Sequence, residues 1–187
     1  MSSSSREAIL AAAKRTAQAR GYAGLNFRDL ADEVGIKAAS IYHHFPSKAD
    51  LGAAVARRYW EDTAAQLETM LAETADPVRC LRRYPDVFRK ALESNNRMCL
   101  CSFMSAEVDD LPDTVKLEVQ TFADVNVAWL SKLLVAARLV SARKSEQRAR
   151  AIFAAVAGAQ LMARSRGDIS LYDSLIDSYR AAGLLPA

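Results

Sequence analysis

Apolar side chains recur in steps of three and four along almost the whole chain, and no stretch alternates apolar with polar positions as a half-buried strand would. The pattern predicts an all-α protein. A first helix opens at Ser4, where Ser4 and Glu7 form an S-x-x-E capping box; it presents Ile9, Ala12, Ala13, Thr16 and Ala17 on one face and stops at Gly21. Asn26 caps a short helix over 27–34 that Gly35 breaks, and a second short helix covers 37–44. After Pro46, Ser47 caps a long helix carrying Leu51, Val55, Tyr59 and Leu67 to Leu71. Past Asp76 and Pro77 comes a helix with Val78, Leu81, Val87, Phe88 and Leu92, which Pro85 should bend or break. Residues 93–97 read as a loop, and the apolar stretch 98–108 leads to an acidic turn whose Asp110 and Pro112 suit a helix start. The next helix shows Val115, Val119, Phe122, Trp129, Leu133, Ala136 and Val140, interrupted by one polar position, Asn126. Two helices close the chain: an Ala-rich one over 145–166, and one over 169–182 with Leu171, Tyr172, Leu175, Ile176 and Tyr179.

One long helix followed by two short ones around a glycine is the layout of a helix-turn-helix. That motif needs a small residue where its helices touch, a turn residue tolerant of positive φ, and an apolar plug on the second helix. In FRDLADEVGIKAASIYHHFP, residues 27–46, Ala31, Gly35 and Ile41 take those places in order, and Leu30, Val34 and Ile36 complete a small core. The reading is an N-terminal three-helix DNA-binding domain over 1–48 and a larger helical domain over 49–187.

Charge sharpens the picture. Of the 25 basic and 22 acidic residues, 7 basic and 4 acidic lie in 1–48, so the remaining 18 of each sign cancel and the net charge of +3 sits in the first quarter. Lys and Arg concentrated there suit contact with a polyanion. With 51% hydrophobic and 25% charged residues, the composition is that of an ordered globular chain. The longest apolar runs, such as 151–159, fall short of the roughly 20 residues a membrane helix needs, and the polar N-terminus lacks the apolar core of a secretory signal. Three cysteines, Cys80, Cys99 and Cys101, are an odd set that fits free thiols in a reducing compartment, so a cytoplasmic protein is expected.

Other chemistries find little support. His43 and His44, the only histidines, are adjacent and point about 100° apart on a helix, so they cannot chelate one metal in the i, i+4 manner. No phosphate-cradling glycine loop, dinucleotide fingerprint or nucleophile elbow occurs, so neither an enzyme nor a cofactor is expected.

The residues Tyr42, His43, His44, Phe45, Pro46, Ser47 and Lys48, following the helix-turn-helix in register, resemble the DNA-binding region of the TetR family of regulators. That resemblance covers about the first 55 residues. It implies double-stranded operator DNA as partner, with the helix over 37–44 in the major groove and Lys37, Ala38 and Ser40 facing base edges. It further implies that His43 reads a base or phosphate and that Tyr42 and Lys48 hold phosphates, with backbone contacts from Asn26 and Arg28. The last two helices become the face of a homodimer, and the larger domain becomes the sensor of a small effector that releases the repressor from DNA.

A second, shorter resemblance lies in MCLCSFMSAEVDDLP, residues 98–112, which is similar to a segment in a subset of TetR-type regulators of electrophile or quinone response. Cys99 matches the subset's cysteine and Glu107 its acidic residue; Met98 stands where glycine is usual. In that subset the cysteine senses through its thiolate, which a neighbouring cation such as Arg97 would favour. The competing reading makes Cys99 and Cys101 small buried apolar residues. An effector pocket is expected among Phe88, Phe103, Met104, Phe122, Asn126 and Trp129, where the buried amide of Asn126 needs a ligand, water or side chain as partner. Two other classes share the fold or the composition. A nucleoid-associated or division-control protein would bind many scattered sites, and a protein-interaction module would show no salt-dependent DNA binding.

Overall fold

The helices are bounded by the residues that local chemistry favours at their ends. The computed structural model describes the backbone of residues 2–187 and the side chains of residues 5–187. Helix α1 spans Ser2–Arg20, so it starts ahead of the expected Ser4 cap, whose side chain lies outside the described residues. It ends at Gly21, which takes the left-handed conformation (φ 69°). Helices α2 (Phe27–Val34) and α3 (Ala38–His44) follow, with Lys37 as a backbone cap rather than the first helical residue. Helix α4 is Lys48–Thr74, and at its start the Ser47 hydroxyl accepts from Asp50 N at 3.1 Å and donates to the Asp50 carboxylate at 2.6 Å.

Helix α5 (Pro77–Glu93) runs unbroken through Pro85, so of the bend or break expected there the break does not occur. A proline forfeits the one hydrogen bond its N–H would have made; here it is buried, and its own carbonyl accepts from the Tyr172 hydroxyl at 2.8 Å. Burial and that tie to α9 outweigh the defect. Helix α6 (Leu100–Ser105) and a 3₁₀ turn (Val108–Asp110) occupy the stretch before α7 (Asp113–Ala136). The latter stops short of the expected Val140, with Arg138 at φ 56°. Helix α8 is Ala142–Arg166, opening before Ser145, whose buried hydroxyl is shared with Ser131 at 2.7 Å. Helix α9 is Ile169–Ala181. No strand occurs among the described residues, and none of their helices is long and apolar enough to cross a membrane.

The chain forms two compact units, each assembled from two stretches: residues up to Glu61 with 100–122, and residues 62–99 with 123–187. The helices of 1–48 lie wholly in the first unit, which also takes in 49–61 and 100–122. In it, α1 packs on α2, α3 and α6. Ile9, Ala12, Ala13 and Ala17 are buried there, with Leu30, Ile41, Leu51, Met104 and Val115. In the second unit α8 packs on α5 and α9, and its Ile152, Val156 and Ala159 are fully buried. Polar ties complete this unit: Arg89 holds both Asp173 oxygens at 2.7 and 2.9 Å, and Gln160 bridges two backbones described below.

Candidate nucleic-acid interface

The helix-turn-helix is built by its caps and its plug. Asn26 Oδ1 accepts from the amides of Arg28 (2.8 Å) and Asp29 (3.3 Å), satisfying two donors that the start of α2 would leave open. At the other end Gly35 adopts φ 74°, ψ 34°, which a side chain would resist. Its amide and that of Ile36 return to Asp32 and Ala31 carbonyls at 3.3 and 3.0 Å. Ala31, Ile41 and Phe45 are buried, so the close contact, the turn and the plug stand where the sequence pattern put them.

What remains outside is a face of α3. Lys37, Tyr42 and His43 are exposed, Tyr42 at 56%, while Ala38, Ser40 and Lys48 are half-buried. Ala39, which sequence reasoning passed over, is exposed one turn before His43, and the i, i+4 spacing from His43 was the signal that could have found it. The Tyr42 ring is braced edge-on by Phe27 at 4.7 Å. Arg28 is exposed on α2. Lys48 is already engaged within the fold: its Nζ donates to the Ala23 carbonyl at 3.1 Å and lies 4.7 Å from the Tyr22 ring. Asn26 is likewise occupied as a cap.

Sequence resemblance singles out Glu107 but gives it no partner. The Glu107 carboxylate accepts from the amides of Tyr22 (2.6 Å) and Ala23 (3.0 Å), in the turn between α1 and α2. Further along, buried Glu118 holds Arg57, through Nε at 2.9 Å and again through Nη2, and accepts from Trp60 Nε1 at 2.8 Å. Desolvation pushes the Glu118 carboxyl upward, but the hydrogen bonds from Arg57 and Trp60 outweigh it and leave the group below its ordinary value.

The residues expected at an effector pocket fall into both units. Phe88, Asn126 and Trp129 gather around Tyr84 in the second, where the Tyr84 hydroxyl donates to Asn126 Oδ1 at 2.9 Å and its ring stacks on Trp129 at 5.9 Å. A side chain thus partners the buried amide. Burial, with the proximity of Cys99 and Tyr172, holds the Tyr84 phenol well above its ordinary pKa. Trp129 also lines a half-open cavity of about 280 Å³ with Leu67, Val125 and Ala128, flanked by Glu68 and Lys132, which lie 3.8 Å apart. Phe103, Met104 and Phe122 belong to the first unit, Phe103 half-buried and the other two buried. Cys99 and Cys101 are unbridged and each 1% exposed. The Cys99 amide donates to Gln160 Oε1 at 2.9 Å, and Gln160 Nε2 donates to the Phe88 carbonyl at 2.6 Å.

An exposed, cap-defined second helix carrying lysine, tyrosine and histidine in front of a larger helical body defines a helix-turn-helix DNA-binding regulator. Comparison with known proteins agrees. The family model for bacterial regulatory proteins, tetR family, matches residues 9–55. The HTH-type transcriptional repressor NemR of Escherichia coli is 27% identical over 166 residues, 85% of this chain and 83% of its own length. The crystal structure of a TetR-family regulator from Agrobacterium tumefaciens is similar at a TM-score of 0.89 and 28% identity, covering 95% of this chain and 96% of that one. A TetR regulator from Legionella pneumophila is similar at 0.88 and 29%, covering 94% and 95%. Residues 9–55 thus match the model of the TetR family, and over most of its length the chain is similar to regulators of that family.

Proposed function

We propose that this protein is a transcriptional repressor that binds operator DNA as a homodimer in the cytoplasm and lets go when a small effector or thiol-reactive signal acts on its larger helical domain. The observation that carries the reading is the exposed face of α3, Lys37, Ala39, Tyr42 and His43, held out by the Asn26 cap and the Gly35 turn. Residues 1–48 then supply DNA binding. Lys37, Ala38 and Ser40 face bases, His43 reads a base or a phosphate, Tyr42 and Lys48 hold phosphates, and Asn26 and Arg28 add contacts to the DNA backbone. Residues 49–187 supply sensing and pairing.

Homodimerisation through α8 and α9 is supported by the apolar side chains that α8 leaves outside, Leu161 at 55% exposure and Met162 at 48%. A pair of α3 helices must reach successive major grooves about 34–36 Å apart, so a signal that alters this spacing lowers affinity. Phe88, Phe103, Met104, Phe122, Asn126 and Trp129 are our candidates for reading an effector, and Cys99 with Cys101 for reading an electrophile. Because Cys99 is buried, such a reagent reaches it only through local opening. The name of the Escherichia coli relative supports repression rather than chromosome packaging.

The test is a salt titration of binding to the duplex upstream of the protein's own gene, with and without an electrophile, for wild type and Cys99→Ser. Tight, salt-dependent, sequence-selective binding is expected. Its absence from every duplex tried would overturn the repressor reading. Electrophile release in the wild type alone would assign the signal to Cys99, and release of both proteins would remove Cys99 from that role. Genome-wide occupancy at one or two promoters, rather than at scattered sites, separates a repressor from a nucleoid protein.

A further inference from the structure

We infer that Glu107, which lies outside the DNA-binding helices, is a positioning residue for DNA binding: its carboxylate fixes the α1–α2 turn and thereby the setting of α2 and α3. This rests on the DNA-binding reading above. The turn from Gly21 to Leu25 is the only covalent link through which α1 hands the chain to the helix-turn-helix. Two amides in it, Tyr22 and Ala23, point at the two oxygens of Glu107, at 2.6 and 3.0 Å. Charge-assisted bonds of this kind are the stronger class, and the Tyr22 pair is partly buried.

The neighbouring residues are shaped around that carboxylate. Gly21 has φ 69°, which favours glycine, and a Cβ added there would displace the carboxylate of Glu107. The carbonyl of Ala23 accepts from Lys48 at the head of α4, and the same lysine covers the ring of Tyr22. Tyr22 in turn fits where α4 has no side chain: a Cβ on Gly52 would sit 2.6 Å from its ring. Ala23 is therefore held by an acid at its N–H and by an ammonium at its carbonyl. Three residues on, Asn26 starts α2, so the turn's conformation sets where α2 begins and, through the Gly35 turn, where the exposed face of α3 points.

Release of the clamp leaves two amides that must find water, which they do by loosening the turn. Glu107 follows α6 in the chain, so its carboxylate ties the stretch after α6 to the α1–α2 turn, beside the packing of α6 on α1.

The test uses the full-length protein and a duplex that the wild type itself selects from random-sequence DNA. Glu107→Ala is expected to keep wild-type helicity at 25 °C and to bind that duplex about tenfold more weakly, in the range typical of couplings between sites. Glu107→Gln, which keeps one acceptor oxygen, should fall between the two. Charge alone predicts the reverse, because either change raises the net charge of +3 by one and favours a polyanion. A merely structural glutamate would lower the melting temperature and leave affinity at 25 °C unmoved or tighter, and that result overturns the inference. If Glu107→Ala does not fold, hydrogen exchange of the wild type decides: slow exchange of the Tyr22 and Ala23 amides upholds the clamp, and fast exchange overturns it. Failure of the wild type to select any duplex would instead refute the DNA-binding reading, while the exchange measurement still judges the clamp.

Discussion

Replacing Gln160 with leucine should destabilise the protein by about 2–4 kcal/mol. The side chain is fully buried and leucine is close to it in size, so the cavity contribution is small. The Cys99 amide, in a segment outside any helix and nearly inaccessible, loses the acceptor that Gln160 provides; a buried donor left in this way costs about 1–3 kcal/mol. The Phe88 carbonyl remains within α5 and forfeits only a supplementary bond, worth roughly 1 kcal/mol. For a chain of this size the sum corresponds to a fall in Tm of about 5–15 °C. Urea unfolding followed by helical circular dichroism measures it, at one fixed protein concentration so that the proposed dimerisation would contribute equally to both proteins.

Gln160→Glu provides the control. A protonated carboxyl can donate to Phe88 and accept from Cys99 as the amide does, whereas an ionised one cannot donate, and burial raises its pKa. With the folded-state pKa above the unfolded value of about 4.3, its stabilising effect is fully present below that value and disappears as pH rises through the folded-state pKa. Gln160→Glu should therefore approach wild type in acid and trail it at neutral pH, while Gln160→Leu trails throughout. A leucine variant within about 0.5 kcal/mol of wild type would refute the reasoning.

Three further outcomes are expected. Glu118 has a lowered pKa, so its contribution is present above the unfolded value of about 4.3 and is lost as pH falls through the lowered one; the stability gap between wild type and Glu118→Gln should narrow in acid, and a gap constant with pH would count against the Arg57–Trp60 grip. Asn26→Ala removes a side-chain cap and should cost about 1 kcal/mol, read from the urea midpoint; no change there would show that water caps α2 equally well. Tyr42→Phe should leave the melting temperature unchanged and weaken operator binding about tenfold, as loss of one hydrogen bond to a charged phosphate predicts, and undiminished binding would remove Tyr42 from the phosphate contacts.

Much of this architecture is legible in the sequence because it depends on neighbours. Asn26, Gly35 and Ser47 act on amides and carbonyls a few residues away, so residue type and spacing announce them. Ala31 and Ile41 are legible for the same reason. Pro85 alone does not tell that α5 continues, because the rule against interior proline is local, whereas the contacts that hold α5 together, including Tyr172 on its carbonyl, come from far along the chain. Asn126 is conspicuous within its apolar stripe, but nothing marks Tyr84, 42 residues earlier, as its partner. Periodicity reports that Phe88, Met104, Phe122 and Trp129 are buried; it does not report which of them meet, and they are divided between two units. Glu107 is the extreme case, since its partners are backbone amides 84 and 85 residues away that carry no side-chain signature at all.

The first unit borrows residues 100–122 from the middle of the chain, and this bears on how specificity can be transplanted. A chimera that exchanges DNA-reading heads between relatives, cut at the end of the 9–55 family match, would part the α1–α2 turn from its own Glu107 and place Gly52 beside a foreign Val115. Such a hybrid would carry α3 on a mismatched cradle. A graft that keeps the turn with its own carboxylate has to carry both stretches together, residues up to Glu61 and 100–122.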